Sequence, residues 1–136
     1  MRLQLALNVA DLDEAIDFYA RMFGSEPAKV RPGYANFAIA DPPLKLVLFA
    51  GEGDPGSINH LGVETEVAAE VVAAEGRLSD AGLTTTGVGD TVCCYAEKTE
   101  TWVQGPDGQR WEWYVKHADR EDVAGVAVDG AGCCPA

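Results

Sequence analysis

Leu3, Leu5, Leu7 and Val9 alternate with Gln4, Ala6 and Asn8, the period-two pattern of a strand with one apolar face. Asp11 with Glu14 three residues on then reads as a capping box. Leu12, Ile16, Tyr19 and Phe23 recur at helical spacing up to a stop at Gly24. A short extended piece near Pro27–Val30 and strands at about Tyr34–Ala40 and Leu44–Phe49 follow, the last two joined by the turn Asp41-Pro42-Pro43. Beyond the Gly-, Asp- and Pro-rich stretch Gly51–Ser57 the order returns. Asn59–Glu64 predicts a strand, and Val67, Val71, Ala74, Leu78 and Ala81 form one stripe of a helix ending at Gly82. Strands are then predicted at Thr84–Val88, Thr91–Ala96, Thr101–Gln104 and Arg110–Lys116.

Strand, helix and several strands thus occur twice, which suggests an internal duplication. The expected class is α+β, with paired βαβββ modules at about 1–50 and 58–117 in one domain spanning 1–117. Residues 118–136 lack a sustained period and read as a loose tail carrying Cys133-Cys134 near its end. At 136 residues the chain is long enough for one hydrophobic core. A net charge of -12 argues against nucleic acid and against anionic membrane surfaces. The apolar start is too short and too polar for a signal peptide, and no run reaches transmembrane length. A cytoplasmic protein with reduced thiols is therefore expected.

That expectation bears on the four cysteines, which occur only as the adjacent pairs Cys93-Cys94 and Cys133-Cys134. Neighbouring thiolates can chelate a soft, thiol-seeking centre. A free Cys is also a common small buried hydrophobe, and that reading stands beside the first. Consecutive residues of a regular strand face opposite sides, so a chelating Cys93-Cys94 pair is expected in a loop or bulge, loosened by Gly87, Gly89 and Asp90.

Leu7-Asn8-Val9, Asp11-Leu12, Phe18-Tyr19, Asn59-His60-Leu61-Gly62-Val63 and Gly105-Pro106-Asp107-Gly108 with Trp111-Glu112 resemble, in order and spacing, the vicinal oxygen chelate superfamily. This superfamily includes glyoxalase I, extradiol dioxygenases and the bleomycin- and fosfomycin-resistance proteins. The resemblance implies a cup-shaped mixed sheet with metal ligands on the first and last strands of each half. Carried over, those are Gln4, His60 and Glu112, with Glu112 and His60 catalytic; the fourth position, near Leu46, is apolar. Alternation places Gln4 opposite Leu3 and Leu5, His60 opposite Leu61, and Glu112 opposite Trp111 and Trp113. On spacing alone, a His and a Glu on strands are more often structural residues held by hydrogen bonds than metal ligands. His117 reads as a solvated residue.

Arg31-Pro32-Gly33-Tyr34-Ala35-Asn36-Phe37 within Lys29–Leu48, Ile58–Val63, and Cys93-Cys94-Tyr95-Ala96 with Trp102-Val103 are similar to one branch of the superfamily. It holds the ArsI-type carbon–arsenic lyases and the CadI-type cadmium-induced proteins. What this implies is iron(II)- and dioxygen-dependent cleavage of the carbon–arsenic bond of trivalent organoarsenicals, releasing arsenite. Cys93 and Cys94 would hold arsenic, while another divalent metal could stand in for iron, since Gln4 occupies a position where related lyases often carry His. Asn36, Phe37 and Tyr95 are expected to line the cup, and Cys133 and Cys134 to serve as accessory thiols for arsenic, to recruit metal, or to do neither. The rival is a non-catalytic cadmium or arsenite binder using four thiolates, and behind it a glyoxalase-type isomerase. Monomer and homodimer remain equally open.

Overall fold

The computed structural model describes residues 1–121 of the chain; the expected tail and the Cys133-Cys134 pair lie outside the described residues. The described chain forms two compact units. One is Arg2–Gly62, and the other comprises Met1 and the residues from Val63 onward.

In the first unit, β1 (Arg2–Val9), α1 (Leu12–Phe23), β2 (Lys29–Arg31), β3 (Tyr34–Ile39) and β4 (Leu44–Ala50) precede the start of β5 (Ile58–Glu64). Its strands lie in the order β2-β3-β4-β1-β5. β1 runs parallel to β4, while β2, β3 and β4 pair antiparallel. Asp11 caps α1 by accepting the Glu14 backbone N–H at 3.0 Å, and Gly24 ends it with φ 62°. Only glycine adopts that left-handed conformation at little steric cost. The core of this unit consists of Ala35, Phe37, Ile39, Leu46 and Leu48, against which Leu5, Leu7, Ile16, Tyr19 and Phe23 pack.

This corrects two placements. Phe37 and Leu46 both face that core, not the Gln4 side; register pairs Gln4 with Lys45 and Ala6 with Val47. Asn36, the neighbour of Phe37, points the other way, and its Nδ2 donates to the Tyr34 hydroxyl at 2.9 Å.

The second unit holds α2 (Ala68–Asp80), β6 (Gly89–Cys93), β7 (Ala96–Gln104) and β8 (Arg110–Asp119), with β7 between the other two in antiparallel pairing. α2 packs on β7 and β8 through Val71, Ala74 and Leu78. Val67, expected on that stripe, is instead the exposed N-cap. Thr84–Val88 is no strand: Thr85 makes a single bridge to Val103. Gly89 and Asp90, expected in a loop, begin β6, and β8 continues past its expected end at Lys116 to Asp119. Both modules are nonetheless βαβββ, and the class is α+β.

Candidate functional site

The polar face of β1 turns out to be its buried one. Gln4, Ala6 and Asn8 are buried, whereas Leu3 is exposed. Gln4 meets His60 of β5 directly, with Gln4 Nε2 and His60 Nε2 3.0 Å apart. On its other nitrogen, His60 Nδ1 lies 2.8 Å from Asn59 Oδ1. An amide oxygen can only accept, so Nδ1 carries the proton and Nε2 presents a lone pair, capped by the Gln4 amide N–H. The Phe49 ring centroid lies 6.2 Å from that of His60 and forms an apolar wall.

Glu112 sits in the second unit on the face of β8 opposite Trp111 and Trp113, and is 1% exposed. A carboxylate at such depth needs a counter-charge. Lys98 Nζ supplies it, donating to Glu112 Oε2 at 2.6 Å, and also lies 3.3 Å from Glu100 Oε2. The Lys98 ammonium stands 5.2 Å over the Tyr114 ring. Burial opposes the charge on Lys98, but Glu112, Glu100 and the Cys94 sulfur outweigh it and raise the pKa above its ordinary value. Burial, and then the hydrogen bond with Glu112, push Glu100 up to about 7 against the opposing pull of Lys98.

Lys98 and Glu100 escaped the sequence reading. Glu97-Lys98-Thr99-Glu100 looks like a polar loop, yet it forms the middle of β7. The available signal was its alternation: Lys98, Glu100 and Trp102 share one face, opposite Lys116, Tyr114 and Glu112.

Cys93 ends β6 and pairs with Ala96, so Cys94 and Tyr95 are the two central residues of a tight hairpin turn. Both have positive φ, 53° and 62°, as the mirror-image turns of hairpins require. Asn and Gly are the residues that suit such positions, and a left-handed Tyr is an outlier. The turn departs from regular strand geometry at the cysteine pair and brings the two Sγ atoms within 3.3 Å of each other. Cys93 is buried and Cys94 half-buried. Tyr95 is buried, and its carbonyl accepts the Arg120 N–H at 2.7 Å, so the end of β8 latches the turn. His117 is exposed, with Nε2 2.7 Å from Thr99 Oγ1.

The chemistry of the expected donors suits a divalent first-row metal: an imidazole lone pair, an amide that can present its oxygen, and a buried carboxylate. Gln4 turns its N–H toward His60, so ligation through Oε1 requires rotation of the amide. Among the described residues there is no group of three or more His, Cys, Asp or Glu side chains clustered for a metal.

These features sit on a known architecture. The chain belongs to the glyoxalase/bleomycin resistance protein/dioxygenase superfamily, whose sequence model matches residues 3–113. A trivalent organoarsenical cleaving enzyme of Thermomonospora curvata is 52% identical, over 98% of this chain and 87% of the relative. The cadmium-induced protein CadI of Mycobacterium bovis is 57% identical, over 88% of this chain and 79% of its own. Among solved structures, the Mn(II)-bound glyoxalase from Novosphingobium aromaticivorans shares the fold, with a TM-score of 0.62 at 19% identity, covering 88% of this chain and 41% of that one.

Proposed function

We propose that this protein cleaves the carbon–arsenic bond of trivalent organoarsenicals in an iron(II)- and dioxygen-dependent reaction that releases arsenite. The observation that carries the reading is the Cys93-Cys94-Tyr95 turn. Two residues hold left-handed backbone at a position where Asn-Gly would be easy, and the result is a pair of adjacent sulfurs. Backbone strain of this kind collects at ligand clamps. The 52% identical organoarsenical cleaving relative supports the same chemistry.

In this reading, Cys93 and Cys94 bind arsenic as reduced thiols, the state a cytoplasm maintains. Each thiol proton leaves with one arsenic-bound hydroxyl as water, so two sulfur–arsenic bonds form and the carbon–arsenic bond stays intact for the next step. Gln4, His60 and Glu112 are the metal ligands, and iron(II), when bound, supplies electrons and open positions for dioxygen chemistry. Lys98 balances the charge of Glu112. Fixing the arsenical on two thiolates converts an encounter into a positioned reaction, worth several kcal/mol of barrier.

The test is anaerobic loading with iron(II) under thiol reductant, then methylarsenite and air, with inorganic arsenite as the readout. Release by the wild type, and none from Cys94→Ser or Glu112→Ala, is expected. Absence of arsenite from a metal-loaded wild type with titratable thiols sinks the lyase reading. The similarity to a cadmium-induced protein keeps a second reading in view, in which the thiols sequester cadmium or arsenite without turnover.

A further inference from the structure

Beyond the residues named so far, His60 stands at the end of a hydrogen-bond chain whose direction is fixed from its far end. Asp54 contributes a backbone carbonyl, which can only accept. Ser57 donates its single hydroxyl proton to it at 2.6 Å, so Ser57 Oγ is left as an acceptor. Asn8 must therefore turn its NH₂ toward Ser57, and Nδ2 donates to Oγ at 2.9 Å. That leaves Asn8 Oδ1 to accept from Asn59 Nδ2 at 3.0 Å. Asn59 in turn aims Oδ1 at His60 Nδ1, 2.8 Å away. Reversing either amide would set oxygen against oxygen or N–H against N–H.

The backbone holds this chain in register. Asn8 N–H donates to the Ser57 carbonyl at 2.9 Å, and the Gly56 N–H donates to the Asn8 carbonyl at 2.8 Å. Gly53 closes over the Asn8 amide so tightly that a Cβ there would lie 2.7 Å from Asn8 Nδ2. The loop between β4 and β5 is thereby stapled to β1 at the residue that passes the polarity on.

We infer that Ser57, Asn8 and Asn59 are positioning residues: they hold His60 as the Nδ1–H tautomer, keep its Nε2 lone pair available, and so set the affinity for a divalent metal. The metal part of this inference rests on the reading of His60 as a ligand; the tautomer part does not. A ligand imidazole commonly owes its orientation to a partner on its other nitrogen, and loss of that partner lowers metal affinity by about 10–100-fold. Here the partner is a neutral amide that is itself oriented by two further side chains.

Nitrogen-15 NMR of the metal-free protein at pH 8 reads the tautomer directly. The chain has only two histidines, so His117→Gln assigns the spectrum. Wild-type His60 should be protonated at Nδ1. Asn59→Leu should release it toward Nε2–H, and Asn8→Leu should give a mixture. Asn8→Asp should preserve the wild-type tautomer, because an acceptor facing Asn59 is all the chain needs there once the Ser57 hydroxyl turns to donate to it. Gly53→Ala, a milder change, should loosen the tautomer by displacing the Asn8 amide, and it stands in should Asn59→Leu fail to fold. Anaerobic calorimetry with iron(II) should then show affinity about 10–100-fold weaker in Asn59→Leu and near wild type in Asn8→Asp. An unchanged tautomer in Asn59→Leu and Gly53→Ala overturns the relay. A changed tautomer with unchanged iron affinity overturns its role in metal binding. A wild type that keeps the Nδ1–H tautomer but binds no iron instead overturns the reading of His60 as a ligand.

Discussion

Cys94 and Tyr95 occupy left-handed backbone, which costs an ordinary L-residue about 1–2 kcal/mol relative to glycine at the same position. Tyr95 is buried, so its ring offsets part of that cost, but Cys94 is half-buried and gains less. Cys94→Gly should therefore leave stability unchanged or raise it by up to about 1 kcal/mol, after the entropy of the unfolded glycine is subtracted. It should abolish arsenical binding at the same time. Urea unfolding and an arsenical titration check the two halves, and a clear loss of stability would mean that the turn is not strained at Cys94. Lys98 and Glu112 pose the opposite case, a buried pair in which each charge depends on the other. Lys98→Met leaves Glu112 without its counter-ion and should cost about 3–5 kcal/mol in chelator-treated protein. The double variant Lys98→Met/Glu112→Leu should recover most of that loss, a non-additivity that a double-mutant cycle measures. Thr85 and Ser79 both donate to Glu75 Oε1, at 2.8 and 2.6 Å, and hold its carboxyl below the usual range. A lowered carboxylate pKa contributes stability above its unfolded value and loses it as pH falls through the folded one. Thr85→Val should accordingly flatten the acid limb of the stability curve below about pH 4.5.

The two helices differ at their starts in a way that makes a clean comparison. α1 has Asp11 as a side-chain cap, whereas α2 begins at Val67, with extended backbone and no side-chain cap bond. Asp11→Ala should cost about 1 kcal/mol, and Val67→Asp should add a similar amount, both measurable as shifts in the urea midpoint. Of the elements, β1, β3, β4 and α1 were legible in the sequence because their apolar residues follow one period without interruption. The region from Thr84 to Gln104 was not, since threonines read as strand where the chain makes a single bridge and charges read as loop where it makes β7. The cause is physical. β7 turns its charged residues inward, where Glu112 and Lys98 neutralise each other, so burial there follows charge pairing rather than hydrophobicity. That Gln4 lies opposite Leu3 and Leu5, and His60 opposite Leu61, was legible from alternation, while the relay behind His60 was not. Asn8 and Asn59 are 51 positions apart, and only the pairing of β1 with β5 brings them together.

For the whole molecule, the question is whether arsenic chemistry needs two thiols or four. None of the described helices is long and apolar enough to cross a membrane, and the net charge of -12 suits a binder of neutral or cationic species. A sequestering protein that wraps a soft d10 ion in a tetrahedral site draws on all four cysteines. A lyase needs only the pair that the β6–β7 turn presents, because the third bond to arsenic must remain with carbon. The double variant Cys133→Ser/Cys134→Ser separates the two designs under reducing conditions. If the protein is a lyase, the variant should release arsenite from methylarsenite at close to the wild-type rate, since Cys93 and Cys94 are untouched. Its affinity for cadmium, measured by competition with a chromophoric chelator, should fall by at least about 10-fold if four thiolates had bound that ion, a loss of roughly 1.4 kcal/mol or more. Arsenite release that disappears with the terminal pair would move the arsenic-binding role away from the turn. The strained conformation of Cys94 and Tyr95 would then need another explanation.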